Sequence, residues 1–222
     1  MRLDLIELTR GSFKLEDISF ILNEGDVLGI IGEEGSGKTT LIKGILGNYK
    51  FEGNFILKGE NLSEISNLER TQDMSYLSQE DSENNSTLLE VCLNEKIPFM
   101  KSKENIEDIK YIEEILISLN LADMKYRSLS SMSVGERRLS QIAKVLSKDA
   151  ELYLLDDPTK GLSEKTSEVV FKFIKEKVKK EKIRAIVVSN NSKILSDYCD
   201  KFLILQGGKQ VAFGDKNILK IY

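Results

Sequence analysis

Gly32-Glu33-Glu34-Gly35-Ser36-Gly37-Lys38-Thr39-Thr40 follows the pattern G-x-x-x-x-G-K-[ST]. Its surroundings suit that pattern, because the apolar run Val27-Leu28-Gly29-Ile30-Ile31 precedes it and Leu41, Ile42, Ile45 and Leu46 follow at helical spacing. The order is therefore strand, glycine turn, helix start. Successive backbone N–H groups in such a turn face inward and, with the positive end of the helix, form a concave anion site. Glycine is required where the backbone must approach phosphate oxygens closely or take a positive φ. Lys38 then reaches the outer phosphates, and the Thr39 hydroxyl is a candidate Mg²⁺ ligand. Glu33 and Glu34 oppose the field of such a loop. They are read as pointing into solvent, where screening makes them nearly harmless; the alternative is weakened nucleotide binding.

The 222 residues suffice for one large α/β domain carrying a smaller inserted subdomain. A net charge of −4 argues against a nucleic-acid surface, and basic and acidic residues are interspersed as on a solvated exterior. The local basic excess of Lys175–Lys182 reads as the wet face of a helix. Cys92 and Cys199 match no metal spacing and are expected as buried thiols. No apolar run approaches the roughly 18 residues of a membrane span, and Met1-Arg2-Leu3-Asp4 does not read as a signal peptide. Histidine is absent, so no imidazole can take part in the chemistry.

Outward from the loop, strands are expected over 3–9, 15–22, 53–59, 74–78, 151–156, 185–189, 202–206 and 210–213, with Gln79 ending the fourth of these. Residues from about 81 to 145 turn helical, with Leu88, Leu89, Val91 and Cys92 in one pattern, broken by Pro98, and Ile112, Ile115, Leu116 and Leu119 in another. Val170, Phe171, Ile174 and Val178 mark a further helix, and a short one is expected at 192–199. Asp156 ends an apolar run typical of a buried parallel strand. Such a fixed anion would orient a metal that bridges phosphate oxygens. Otherwise it merely caps the turn at Asp157-Pro158-Thr159.

With these motifs in view, the sequence resembles the ATP-binding subunits of ABC transporters over nearly its whole length. Ser133-Val134-Gly135-Glu136-Arg137 is similar to that family's signature, usually Leu-Ser-Gly-Gly-Gln; Met132 stands for Leu, Val134 for the first Gly and Glu136 for Gln. Taken alone, Ser133 followed by Glu136 is also what a helix-capping box looks like. Its position about 20 residues before Asp156 adds weight to the signature reading. Gln79 matches the family glutamine that senses Mg²⁺, which makes it, with Thr39 and Asp156, a metal-site candidate. The resemblance implies a P-loop NTPase core with a parallel sheet, an antiparallel N-terminal β subdomain and a helical insert. Residues 1–80 and 146–222 would form the core of a single domain, and about 81–145 the insert. It further implies a head-to-tail dimer, with either a second copy or a different ATP-binding chain, in which ATP lies between one phosphate loop and the other chain's Ser133, Gly135 and Glu136.

Departures from the family are informative. Asp157 stands where a Glu normally polarises the attacking water, and a carboxylate one methylene shorter is displaced by more than about an ångström, which can cost on the order of 10²-fold in rate. Asn190 stands where a His normally contacts the γ-phosphate, and an amide carries no positive charge. Gly161-Leu162-Ser163 replaces the usual Gly-Leu-Asp, and no Tyr occupies the adenine-stacking position near Thr9 and Arg10. Phe13 is the substitute candidate, though a Phe on a strand is more often core.

These expectations describe an MgATP-binding, slowly hydrolysing motor subunit, catalytic through Lys38, Asp157 and Asn190. It would dock on separate transmembrane subunits at the cytoplasmic face of the membrane and bind no nucleic acid. Its compact length resembles exporter subunits more than importer subunits. The alternative is an ATP-dependent dimerising regulator or assembly factor that powers no transport.

Overall fold

The computed structural model describes residues 1–78, 85–96 and 106–220. Ten strands run in the order β5-β4-β1-β2-β10-β9-β3-β8-β7-β6. The first four, β1 (Arg2–Arg10), β2 (Phe13–Ile21), β4 (Phe51–Leu57) and β5 (Glu60–Asn61), form an antiparallel leaf. Next to them, β10 (Lys209–Gly214) and β9 (Lys201–Gln206) form a hairpin, and β9 starts a parallel block with β3 (Val27–Ile31), β8 (Arg184–Val188), β7 (Leu152–Asp156) and β6 (Met74–Leu77). Leaf and block meet through a parallel pairing of β2 with β10 at Glu16 and Lys209.

Alternation within the parallel strands divides the core into two layers. Leu28, Ile30, Leu152, Leu154, Ile186, Val188, Leu203 and Leu205 face one side, where Leu41, Ile42 and Ile45 of α1 (Lys38–Ile45) cover them. Val27, Tyr153, Leu155, Ala185, Val187 and Phe202 face the other. There they meet α5 (Val134–Ser147), α6 (Glu164–Glu181) and α7 (Ser192–Tyr198), with α3 (Leu88–Lys96) and α4 (Ile106–Ser118) joining the same layer. Burial on both faces explains why these strands read as continuous apolar runs. Ile112, Ile115, Leu116 and Leu119, like Val170, Phe171, Ile174 and Val178, lie in this core, as their spacing predicts.

Two differences from the sequence expectations have local causes. The strand expected over 53–59 begins earlier, because Phe51 and Glu52 pair with Leu8 and Glu7, and ends at Leu57. Lys58 and Gly59 are instead the corners of a two-residue hairpin with φ of +54° and +84°, the arrangement that matches strand twist. The short helix α2 (Asn67–Gln72) was not anticipated, since six residues are too few to show a period. Pro98 lies outside the described residues. Both cysteines are buried free thiols. Among the described residues no helix is long and apolar enough to cross a membrane.

Candidate functional site

The carboxyl ends of β3, β7 and β8 converge at one edge of the parallel block, where open α/β sheets place their ligand crevices. The loop leaving β3 is shaped by glycine: Gly35 has φ +81°, and Gly37, the residue capping α1, has φ +106°. A Cβ at Gly32 would collide with the Leu205 carbonyl oxygen and the Ser36 hydroxyl. The loop is thus drawn against β9 as tightly as a backbone without a side chain allows. From the opposite side Gly208 donates its N–H to the Ser36 carbonyl at 3.2 Å, and Gly208 itself accepts from the N–H of Glu16 at 2.9 Å.

Lys38 curls its ammonium under this loop, donating to the carbonyl oxygens of Gly32 at 2.6 Å and Glu33 at 2.8 Å. Burial pushes its pKa down, while the negative charges of Asp156, Glu34 and Asp157 push back. The Ser36 hydroxyl is buried and has no hydrogen-bond partner within the chain. Buried polar atoms of this kind are costly unless a ligand or water satisfies them. A loop with tight glycines, an orphaned hydroxyl and a lysine at its mouth fits a polyphosphate; Thr39, in the first turn of α1, lines the cleft, whereas Asp156, at the end of β7, is fully buried and does not line it. Glu33 and Glu34 are exposed, although Glu34 also borders the cleft.

That cleft, about 530 Å³ in volume, brings Phe13, Glu34, Gly35, Gly37, Lys38, Thr39, Thr40, Asp157 and Asn190 together. Phe13 lies with its ring edge against Gly37, where a Cβ would come within 3.0 Å of it. Arg10, also at the mouth, stands over the Tyr49 ring at 5.6 Å. Arg10 and Lys160 line the cleft without having been singled out from the sequence; both sit within four residues of positions that were. Asn190 is exposed, while the neighbouring Ser189 is buried and bonds Asp157 through its hydroxyl.

Asp157 takes a left-handed backbone conformation, φ +51°, and donates its N–H to Val188. Burial raises the pKa of its carboxyl; Asp156 adds to this, while Lys160, Arg138 and the Ser189 hydroxyl act the other way. Gln79 lies outside the described residues.

Ser133, Gly135 and Glu136 do not line this cleft. They start α5, where Ser133 and Glu136 do form a reciprocal capping box: the Ser133 N–H donates to the Glu136 carboxylate at 2.8 Å, and the Glu136 N–H to the Ser133 hydroxyl oxygen at 3.3 Å. The Ser133 N–H, then its hydroxyl, hold the Glu136 carboxyl below the usual range. Arg127 stands 3.5 Å from that carboxylate. The Ser133 oxygen accepts from the Glu136 N–H while its hydroxyl bonds the Glu136 carboxylate, so in the free chain the side chain is engaged within its own helix start.

Comparison with known proteins agrees with this geometry. Residues 15–160 match the family model described as ABC transporter. An uncharacterized ABC transporter ATP-binding protein of Methanocaldococcus jannaschii is 31% identical over 206 residues, covering 92% of this chain and 81% of that protein. A methionine import ATP-binding protein of Clostridium tetani is 29% identical over 210 residues, covering 90% of this chain and 64% of its own length. The chain spans about a third to a half of several other curated relatives. In three dimensions it resembles the ADP conformation of an ATP-binding cassette of an ABC transporter, with a TM-score of 0.84, 25% identity and coverage of 99% and 92% of the two chains.

Proposed function

The chain belongs to the ABC transporter family of ATP-binding proteins, and we propose that it is an MgATP-dependent motor subunit whose own site turns over slowly. One observation supports the first half of this reading: in the cradle of Lys38 and the glycine turn, the buried Ser36 hydroxyl has no partner within the chain and is there for a phosphate to satisfy. Bound magnesium supplies neutralisation of the charge that builds on the outer phosphates during cleavage. The protein's part is positional. Backbone N–H groups of the loop would orient the phosphates, Lys38, now bonded to two loop carbonyls, would turn to phosphate oxygens, and Thr39 and Asp156 would hold the magnesium.

The slow-turnover half rests on Asp157 and Asn190, which flank the cleft where the resemblance places Glu and His. Asp157 must accept hydrogen bonding from the attacking water with a shorter reach, and Asn190 offers the γ-phosphate a neutral amide. Ser133 and Gly135, absent from the chain's own cleft, fit the role of contacts lent to a second ATP-binding subunit, identical or different. Gln79 and the helical region of about 81–145 would carry the closing motion to separate transmembrane subunits, with the chain peripheral on the cytoplasmic face. The relative named for methionine import stands against the exporter preference.

Titration of the purified chain with a fluorescent ATP and magnesium tests the core of the reading. Saturable binding that Lys38→Ala removes supports it; no binding, even with companion ATP-binding and membrane chains present, refutes it. The same departures at Asp157 and Asn190 favour a second reading, a dimer held shut by seldom-cleaved ATP that regulates or assembles other proteins. Native copurification separates them, since a motor subunit brings a polytopic membrane protein with it and the regulator does not.

A further inference from the structure

Arg138 stands a turn and a half into α5, about 7.5 Å along the axis from Ser133 at the rise of an α-helix. It is only 7% exposed. Its guanidinium spreads over four carbonyl oxygens from two different strand exits: Nη1 donates to Ser78 at 2.8 Å, Nη2 to Asp156 at 3.2 Å and Asp157 at 2.8 Å, and Nε to Pro158 at 3.0 Å. Nη1 also reaches the Gln141 side chain at 3.1 Å, which keeps the group oriented from its own helix. A buried charge is costly unless so satisfied, and an apolar side chain would fill the same space at lower cost. What the arginine supplies instead is geometry, because a planar fork fixes the relative position of everything it bonds.

The elements so tied are informative. Ser78 is the residue before Gln79, Asp156 and Asp157 carry the metal and water candidates, and α5 begins with the signature segment. The far end of α5 is also tied to β6, where Ser75 donates to the Val145 carbonyl at 2.8 Å and Lys148, just past the helix, donates to Met74 at 2.7 Å. Because the helix is held at both ends, it transmits a displacement rather than absorbing it.

We infer that Arg138 is a positioning residue that links the signature end of α5 to the exits of β6 and β7, so that a nucleotide presented to Ser133 and Gly135 by a second subunit adjusts Asp157 in this one. The inference rests on the functional reading above and adds a route by which the two sites of a dimer communicate. The carbonyl oxygens of Asp156 and Asp157 move with the guanidinium, and their side chains move with them. None of the hydrogen bonds described for Arg138 reaches the cradle formed by residues 32–40, whose affinity is therefore expected to hold.

Arg138→Met and Arg138→Lys, made in the full chain, test this. Methionine fills the volume without donors, and lysine restores a charge with three donors in place of five. For the methionine variant kcat falls about tenfold or more, as misplacement by a fraction of an ångström to an ångström produces, while affinity for a fluorescent MgATP analogue stays within about twofold. The lysine variant recovers part of kcat. Hydrogen exchange gives a readout independent of turnover: in the unmodified chain, MgATP protects residues 32–42 and also 133–140 and 152–160, and in Arg138→Met the protection at 133–140 is lost while that at 32–42 persists. Protection at 133–140 that survives in the methionine variant, or equal kcat loss in both variants tracking a common drop in melting temperature, overturns the inference. Absence of protection at 32–42 in the unmodified chain would instead overturn the nucleotide reading itself.

Discussion

The backbone N–H of Asp157 donates to the carbonyl oxygen of Val188 at 2.8 Å, so the residue proposed to activate water is stitched to the neighbouring strand while its own φ is +51°. Aspartate and asparagine tolerate this left-handed conformation better than glutamate does. The shorter carboxylate is thus the one that suits the backbone here. Asp157→Glu is expected to raise kcat about tenfold by restoring reach, at a cost of about 1 kcal/mol, or about 2–4 °C in melting temperature. Asp157→Asn, which suits the same backbone, should keep stability and lose hydrolysis. Steady-state kinetics and thermal denaturation of the two variants check both statements.

Lys38→Ala removes two hydrogen bonds to loop carbonyls and the charge that meets the phosphates. Charge-assisted bonds of this kind are worth about 1.5–3 kcal/mol each, so MgATP affinity is expected to fall about 10- to 100-fold or more. Fluorescent-nucleotide titration measures it.

Gly208→Ala places a methyl group into the Lys14 carbonyl oxygen at a residue with φ +84°. The substitution is expected to destabilise the chain by about 2 kcal/mol or more. Because the Gly208 N–H supports the loop through Ser36, nucleotide affinity should fall in the same variant. Chemical denaturation and the same titration report the two effects separately.

Burial pushes the Cys92 thiol up from an ordinary value near 9 to about 12, and the Cys199 thiol is raised by burial as well. With the folded value above the unfolded one, stability is fully kept below pH 9 and declines as pH rises from there toward 12. Both thiols should resist iodoacetamide at pH 8 in the native chain and react on unfolding, as mass spectrometry of the two states would show.

Much of this architecture is legible in the sequence because burial on both faces writes long apolar runs, and because the glycine turn has few other uses. Ser133 and Glu136 were ambiguous for a physical reason: the residues that begin a capping box and those that could offer an anion a hydroxyl are the same ones. Arg138 was not visible, since an arginine in Glu136-Arg137-Arg138-Leu139 looks like surface. Its signal is indirect. Arg138 falls on the stripe of Ile142, Val145 and Leu146, four, seven and eight residues on, which turns inward. The cleft residues Arg10 and Lys160 were equally hidden, because their place depends on where separate elements meet.

Strand β3, which launches the phosphate loop, lies between β8 and β9, so both of its sheet neighbours come from residues 184–206. During synthesis on the ribosome the stretch 27–31 therefore emerges long before anything exists to pair with it, and the turn that braces Ser36 is made later still, at Gly208. A nascent chain halted at residue 160 would carry every loop residue from 32 to 40 yet lack the frame that holds them. The loop is framed only once the residues up to 208 have been made, and until then an apolar strand must be kept from the wrong company.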